Sequence, residues 1–440
     1  MTRTGFLGDL LAQLVERRFV PLRASGDKPL EVLCEALMSR QGEVSAMRLA
    51  REILARYRTL DADGRRGFFS LLADGFDIDP AAVGAAAAAY AQSRDAATLD
   101  RVVQAAEPRR QALFRRLNHP PGATAELVRM RADLLRLLPE APELARVDLD
   151  FAHLFASWFN RGFLVLRQIT WESPARLLEK IIEYEAVHEI GDWEALRARI
   201  DPPDRRCFAF FHPAMPDDPL IFVQVALVKG LPGSVQALLA PGRAVLDPGA
   251  ADTAVFYSIS NCQKGLKGIS FGNSLIKQVV ELLRQELPHL KTFVTLSPIP
   301  GLADWLRAAA AQGDAGAARL LALGDARDEG AELALRRAAA RYLLEAKDSR
   351  GRPRDPVARF HLGNGAQVHE VHARADLSPR GVAQSCGAMV NYLYDPGAVE
   401  QNHEEFATRN TVAAARGVRN LARAERPAAP PAATPTEEAR

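Results

Sequence analysis

Three features are scarce in this 440-residue chain, and each scarcity excludes something. Cysteine occurs four times, at Cys34, Cys207, Cys262 and Cys386, and never as a Cys-x-x-Cys pair. That spacing argues against a disulfide framework or a thiolate zinc site and fits a reducing cytoplasm, and the Ala/Arg-rich style of the chain points to a bacterial one. Net charge is almost absent, with 56 Lys plus Arg against 54 Asp plus Glu. No global field exists to hold nucleic acid or an anionic membrane, so any phosphate chemistry is confined to a local site. Long apolar runs are missing too: no stretch of about eighteen uncharged apolar residues occurs, and no membrane-spanning helix is expected. The start, Met1 to Arg18, has helical apolar spacing and arginines like a mitochondrial presequence, but Asp9 and Glu16 weaken that likeness. The chain ends in Glu-Glu-Ala-Arg, not in a peroxisomal Ser-Lys-Leu.

What remains is the composition of a globular protein, 48% hydrophobic and 25% charged, with a length suited to two or three domains. From Leu30 to about Leu154 apolar residues recur at three and four, as in Leu49, Ala50, Ile53, Leu54 and Tyr57, and β-branched clusters are nearly absent. The pattern predicts helices throughout, separated at Pro80, at Asn118 to Gly122 and at Pro139 to Pro142. The alanine run Ala85 to Ala89 is expected to be helix packed closely on a neighbour.

After Trp158 the texture changes. Strands are expected at Phe163 to Leu166, Cys207 to Phe211, Leu220 to Val228, Phe256 to Ser260, Thr292 to Leu296 and Gln367 to Ala373, several of them buried on both faces. Leu275 to Leu287 has one apolar helical face, made by Leu275, Ile276, Val279, Val280, Leu282 and Leu283. Strand, loop, helix, strand is a βαβ unit. Helix returns over 302 to 346, and the Pro/Ala/Thr-rich tail from 426 to 440 is expected to be disordered.

The loop of the βαβ unit carries Gly265, Gly268 and Gly272 between Gln263 and Ser274, with Lys264 and Lys267 beside them. Glycines let a backbone press against a ligand, and free amides at a helix start bind anions. A glycine-rich turn with a Ser or Asn cap is the plainer alternative. The loop has neither a P-loop ending nor a strict G-x-G-x-x-G.

Several further blocks occur in order: Phe256-Tyr-Ser-Ile-Ser, Gln263 to Gly272, Pro288-His-Leu, Leu296-Ser-Pro-Ile-Pro-Gly, Phe360-His-Leu with Asn364-Gly-Ala, and Ser385-Cys-Gly before Asn391-Tyr392. Together they resemble the malonyl-CoA decarboxylase family, closely over about residues 150 to 400. The resemblance implies an α+β protein of two domains: an N-terminal all-α helical bundle (1–158) and a C-terminal GNAT-like mixed α/β domain (159–425). In the latter, two splayed parallel strands admit CoA. It places the CoA pyrophosphate on Lys267, Gly268, Ile269, Ser270, Phe271, Gly272 and Asn273. It also implies that Ser297 and His361 are catalytic and that the chain forms a homotetramer.

Decarboxylation of a malonyl thioester leaves an electron pair on the central carbon, delocalised into the thioester carbonyl as an enolate. The thioester is its own electron sink, so no metal, PLP or flavin is expected, only groups that hold the carboxylate, stabilise the oxyanion and deliver a proton. On local sequence Ser297 is a strand-ending residue before Pro298 and Pro300, which are expected to stop the ladder. By the resemblance it is the partner of the malonyl carboxylate or carbonyl. His361 is one of nine histidines, singled out by its family setting and suited as proton donor to the nascent acetyl-CoA. Asn364, Asn391 and Tyr392 are supporting candidates.

Other candidates are weaker. His369 and His372 are three apart, which on a regular strand places them on opposite faces and disfavours a metal pair. Cys262 and Cys386 are expected to be small buried residues rather than nucleophiles, and Trp158 and Trp171 to be packing. Malonyl-CoA and acetyl-CoA are the expected ligands. An acyl-CoA-dependent N-acyltransferase and a non-catalytic CoA sensor remain the alternatives.

Overall fold

The computed structural model describes residues 28–39, 42–269, 275–322 and 329–424. The stretch Met1 to Arg18, the tail 426–440 and the loop residues Ser270, Phe271, Gly272 and Asn273 lie outside them. Among the described residues no helix is long and apolar enough to cross a membrane. The chain forms two units. One comprises the residues up to Trp158 together with Lys264–Ile269, and the other comprises Phe159–Gln263 and Ser270 onward.

The first unit is built of helices, as the three-and-four spacing requires. Asp61, Asp79 and Asp95 cap three of them by accepting from backbone amides at Gly64, Ala81 and Thr98. Pro80 occupies the first turn of Pro80–Ser93, where its missing N–H is no loss. The core gathers aromatic rings, with Phe114 stacked on Phe151 at 4.1 Å between centroids. The alanine run is helical and Pro80–Ser93 packs closely on its neighbour Ala96–Ala106, with Ala86 and Ala89 half-buried, although none of its residues is fully buried.

The second unit is centred on one eight-stranded sheet: β1 (Val165–Ile169), β2 (Arg205–Phe211), β3 (Ile221–Val228), β4 (Thr253–Asn261), β5 (Thr292–Thr295), β6 (Ser297–Pro298), β7 (Gln367–His372) and β8 (Met389–Leu393). β2, β3 and most of β4 are buried on both faces, which is why they appear in sequence as mainly apolar runs, broken by the buried polar Gln224, Ser258 and Ser260. β1 to β4 follow one another antiparallel, and β4 pairs with β5 in parallel. β8 then pairs antiparallel with β5, β6 and β7. Phe163 lies in a short 3-10 turn ahead of β1 rather than in a strand. β8 and the two-residue β6 are not among the strands expected from sequence, and the ladder runs on through Pro298, which pairs with Met389 instead of ending it. Proline is tolerated in so short an edge piece because its nitrogen needs no partner there.

The parallel pair is brief. Thr253 to Phe256 pair with Thr292 to Thr295, and the amide of Leu296 donates to the carbonyl of Phe256. Beyond that point β4 stays with β3 out to Asn261, whereas the chain after Leu296 goes to β8. The strands part at a β-bulge: Gln224 faces Ser258 and Val225 faces Phe256, leaving Tyr257 as the extra residue of β4. A bulge bends the strand that carries it. The parallel pair is therefore splayed, as expected from the sequence. The helix of the βαβ unit, Leu275–Glu286, buries Leu275, Ile276, Val279, Val280 and Leu283, while Leu282 is exposed and does not belong to the packed face.

Candidate active site

The site residues come from four segments of the second unit. Ser297 opens β6, Thr295 ends β5, His361 lies in the last turn of helix Pro356–Gly363, and Tyr392 and Tyr394 flank the end of β8. Ser297 Oγ lies 3.0 Å from His361 Nε2 and donates to Thr295 Oγ1 at 2.8 Å. His361 Nδ1 lies 2.9 Å from the Tyr394 hydroxyl, and the Tyr392 ring stacks on the imidazole with centroids 4.5 Å apart. A serine hydroxyl has one hydrogen. With that hydrogen on Thr295, the contact to His361 is an Nε2–H donating to Ser297, and Nδ1 accepts from Tyr394.

All of these groups are buried, His361 to 2% exposure. Burial alone lowers the His361 pKa to about 3, so the ring is neutral at pH 7. Burial likewise pushes the Tyr394 phenol well above its ordinary value, which keeps it a protonated donor. The site is a neutral hydrogen-bonded chain, Tyr394 to His361 to Ser297 to Thr295.

The motif residues around this chain hold it in place. Asp355 caps the His361 helix, Oδ1 accepting from Val357 and Ala358, both at 2.9 Å, and Oδ2 from Gly301 at 3.4 Å. One carboxylate thus ties the histidine's helix to the turn after Ser297. Gly301 must be glycine, because a Cβ there would lie 2.1 Å from the Tyr342 hydroxyl. At the other end Asn364 Nδ2 donates to the Phe360 carbonyl at 2.7 Å, a C-cap role. Asn391 Nδ2 donates to the carbonyls of Thr295 at 2.8 Å and Pro232 at 3.3 Å, and its Oδ1 lies 2.5 Å from His372 Nε2. Because the amide oxygen can only accept, His372 Nε2 is the donor. The Ser-Cys-Gly motif forms the turn into β8: Cys386 and Gly387 are left-handed, and Ser385 Oγ donates to the Ala388 carbonyl at 2.7 Å.

Thr295 and Tyr394 are not among the sequence candidates, and His372 is weighed there only as a metal ligand. The partners of His372 and Tyr394 lie 19 and 33 positions away, whereas Thr295 and Ser297, two apart, could have been paired by strand alternation.

The glycine loop has a different setting. Lys267 and Gly268 are exposed and Ile269 is half-buried. The amides of Lys267 and Ile269 donate to the carbonyls of Lys264 at 3.1 Å and Leu266 at 3.0 Å. Gly268, between them, is exposed, makes no such bond among the described residues and has a φ of 80, a conformation that favours glycine. Gly265 is buried, and its missing side chain makes room for the protein's own backbone.

The remaining candidates fall into packing roles. His369 is the extra residue of a bulge in β7, so the opposite-face argument, which assumes a regular strand, does not hold. Among the described residues no three His, Cys, Asp or Glu side chains are grouped to hold a metal ion. Cys262 is buried and Cys386 half-buried, and burial raises both thiol pKa values, away from the reactive thiolate. Trp158 lies against Phe155, and Trp171 meets Trp193 edge-on.

The family models and the relatives that cover most of this chain agree. Residues 162–430 match the model of the malonyl-CoA decarboxylase C-terminal domain, and residues 76–159 that of the N-terminal domain. The mitochondrial malonyl-CoA decarboxylase of Rattus norvegicus is 34% identical over 441 residues, covering 89% of this chain and 86% of its own. That of Anser anser anser is 35% identical over 396 residues, covering 79% and 78%. The crystal structure of malonyl-CoA decarboxylase from Rhodopseudomonas palustris is 50% identical and superposes with a TM-score of 0.84 over 90% of this chain and 100% of that one. The Cupriavidus metallidurans structure is 37% identical, with a TM-score of 0.71 over 89% and 98%. With both domain models matched and relatives similar along most of their length, the chain belongs to the malonyl-CoA decarboxylase family of carboxy-lyases.

Proposed function

We propose that this chain converts malonyl-CoA to acetyl-CoA and carbon dioxide through a thioester enolate, with Ser297 and His361 as its catalytic pair and no metal or organic cofactor. The observation that carries the mechanism is the 3.0 Å contact between Ser297 Oγ and His361 Nε2 in a buried, neutral setting. The malonyl group enters beside this pair, and Ser297 hydrogen-bonds its carboxylate or its thioester carbonyl. A carboxylate arriving next to the neutral imidazole raises the ring's affinity for a proton, so substrate and proton are taken up together. The carbon–carbon bond to the carboxylate then breaks, carbon dioxide leaves, and the bonding pair passes into the thioester as an enolate. His361, charged by the proton taken up with the substrate, delivers its Nε2 proton to the central carbon, giving the methyl of acetyl-CoA, and is left neutral until the next substrate brings the next proton.

Tyr394 keeps Nδ1 engaged throughout, which fixes the ring orientation. The CoA phosphates are assigned to the loop Lys267 to Asn273. Purified protein with malonyl-CoA and no additive should release acetyl-CoA and carbon dioxide in equal amounts. Transfer of the acyl group to an added amine without carbon dioxide, or CoA binding without turnover, would replace this reading with acyl transfer or with sensing.

A further inference from the structure

One buried side chain accounts for the shape of Lys264–Ile269. Arg131, on helix Ala123–Leu137, is 3% exposed. Its Nε donates to Asp148 Oδ1 at 2.7 Å and its Nη2 to Oδ2 at 3.4 Å. Its Nη1 donates to two loop carbonyls, Gly265 at 2.8 Å and Lys267 at 3.0 Å. The same helix meets the loop backbone directly: a Cβ on Gly265 would lie 1.8 Å from the Val128 carbonyl oxygen. Glycine at 265 therefore serves contact with the helix, and Arg131 locks the contact in one register.

The consequence follows from peptide geometry. In a trans peptide the C=O and the next N–H point in opposite directions, and the described residues include no cis bond. Holding the Lys267 carbonyl toward Arg131 turns the Gly268 N–H away from the helix, where a Cβ on Gly268 would meet nothing within 4 Å. We infer that Arg131 is a positioning residue for CoA: through the Lys267 carbonyl it aims the Gly268 amide at the phosphate groups. The inference rests on the assignment of the CoA phosphates to this loop. A guanidinium suits the task because its planar fork serves a carboxylate and carbonyls at once, which a lysine ammonium cannot match.

The test compares malonyl-CoA with S-malonyl-pantetheine, which keeps the thioester and lacks the adenosine phosphates, alongside calorimetry with free CoA. Turnover by the wild type tests the proposed function, whereas calorimetry tests Arg131 whether or not turnover occurs. In folded Arg131→Gln, CoA affinity should fall about tenfold and KM for malonyl-CoA rise by the same factor. Turnover number should stay within about twofold, the pattern of lost uniform binding. Malonyl-pantetheine kinetics should not change. Arg131→Lys keeps a charge opposite Asp148 and decides the matter should Arg131→Gln not fold. Unchanged CoA affinity in a folded variant, or equal losses on both thioesters, overturns the inference.

Discussion

Ser297 Oγ and His361 Nε2 stand 3.0 Å apart although 64 positions separate them in the chain, and the carboxylate of Asp355 spans the two segments that carry them. If the pair is catalytic, His361→Asn should fold and bind CoA yet lose about 10²- to 10⁴-fold in turnover, the usual scale for a general acid. Ser297→Ala should lower turnover as well. A rise in KM alone for Ser297→Ala would make the serine a ground-state binder.

Removing the Tyr394 hydroxyl strands a buried acceptor, because His361 Nδ1 has its 2.9 Å partner there. Tyr394→Phe should lower the unfolding free energy by about 1–3 kcal/mol, the cost of an unsatisfied buried group. It should also reduce turnover while leaving KM for malonyl-CoA nearly unchanged. Urea unfolding and steady-state kinetics measure the two effects separately.

The neutral, buried His361 links stability to pH. Its folded pKa of about 3 lies below the unfolded value near 6.5, so between those values the unfolded chain binds the extra proton. This contribution to stability is complete above roughly pH 6.5 and is lost as the pH falls toward 3. Its slope is at most about 1.4 kcal/mol per pH unit. Denaturant titrations at pH 7, 6 and 5 (roughly spanning the upper part of that window) should show a shallower decline in His361→Asn than in the wild type.

At Gly268 the positive φ and the outward amide make separate demands. Gly268→Val strains the turn and should weaken malonyl-CoA and free CoA by a similar factor, because the lost contacts belong to the carrier. Equal affinity in a folded variant, measured by calorimetry, would place the phosphates elsewhere.

Chelation tests the cofactor-free mechanism. Incubation with EDTA should leave turnover unchanged, and activity lost to the chelator and restored by one divalent ion would refute it.

The buried strands were legible because burial on both faces writes an unbroken apolar run, as in Phe208 to Phe211 or Val225 to Leu227. β8 was not. Met389-Val-Asn-Tyr-Leu holds one β-branched residue and a polar one, and Asn391 is buried because it serves the carbonyls of Thr295 and Pro232. Site residues were visible only where a motif surrounds them. Ser297 and His361 have such settings. Tyr394 acts through a partner brought near by folding, a relation that no spacing rule encodes, whereas the Thr295–Ser297 contact is the i, i+2 spacing of one strand face. The glycines carried a mixed signal: Gly265, Gly301 and Gly365 leave room for the protein's own atoms, at Val128, Tyr342 and Val399, whereas Gly268 faces open space.

The departure of β4 from its neighbour at Phe256 divides the sheet into two half-sheets, β1 to β4 and β5 to β8. Among the described residues their ladder is four residue pairs and the Leu296 to Phe256 bond. The ladder is not all that joins them: Ala226, Val255 and Tyr257 of one half share an apolar cluster with Val294, Leu296 and Met389 of the other. The bulged Tyr257 thus sits in the packed joint that fixes where the halves part, and a smaller side chain there would loosen the opening itself and not only the core.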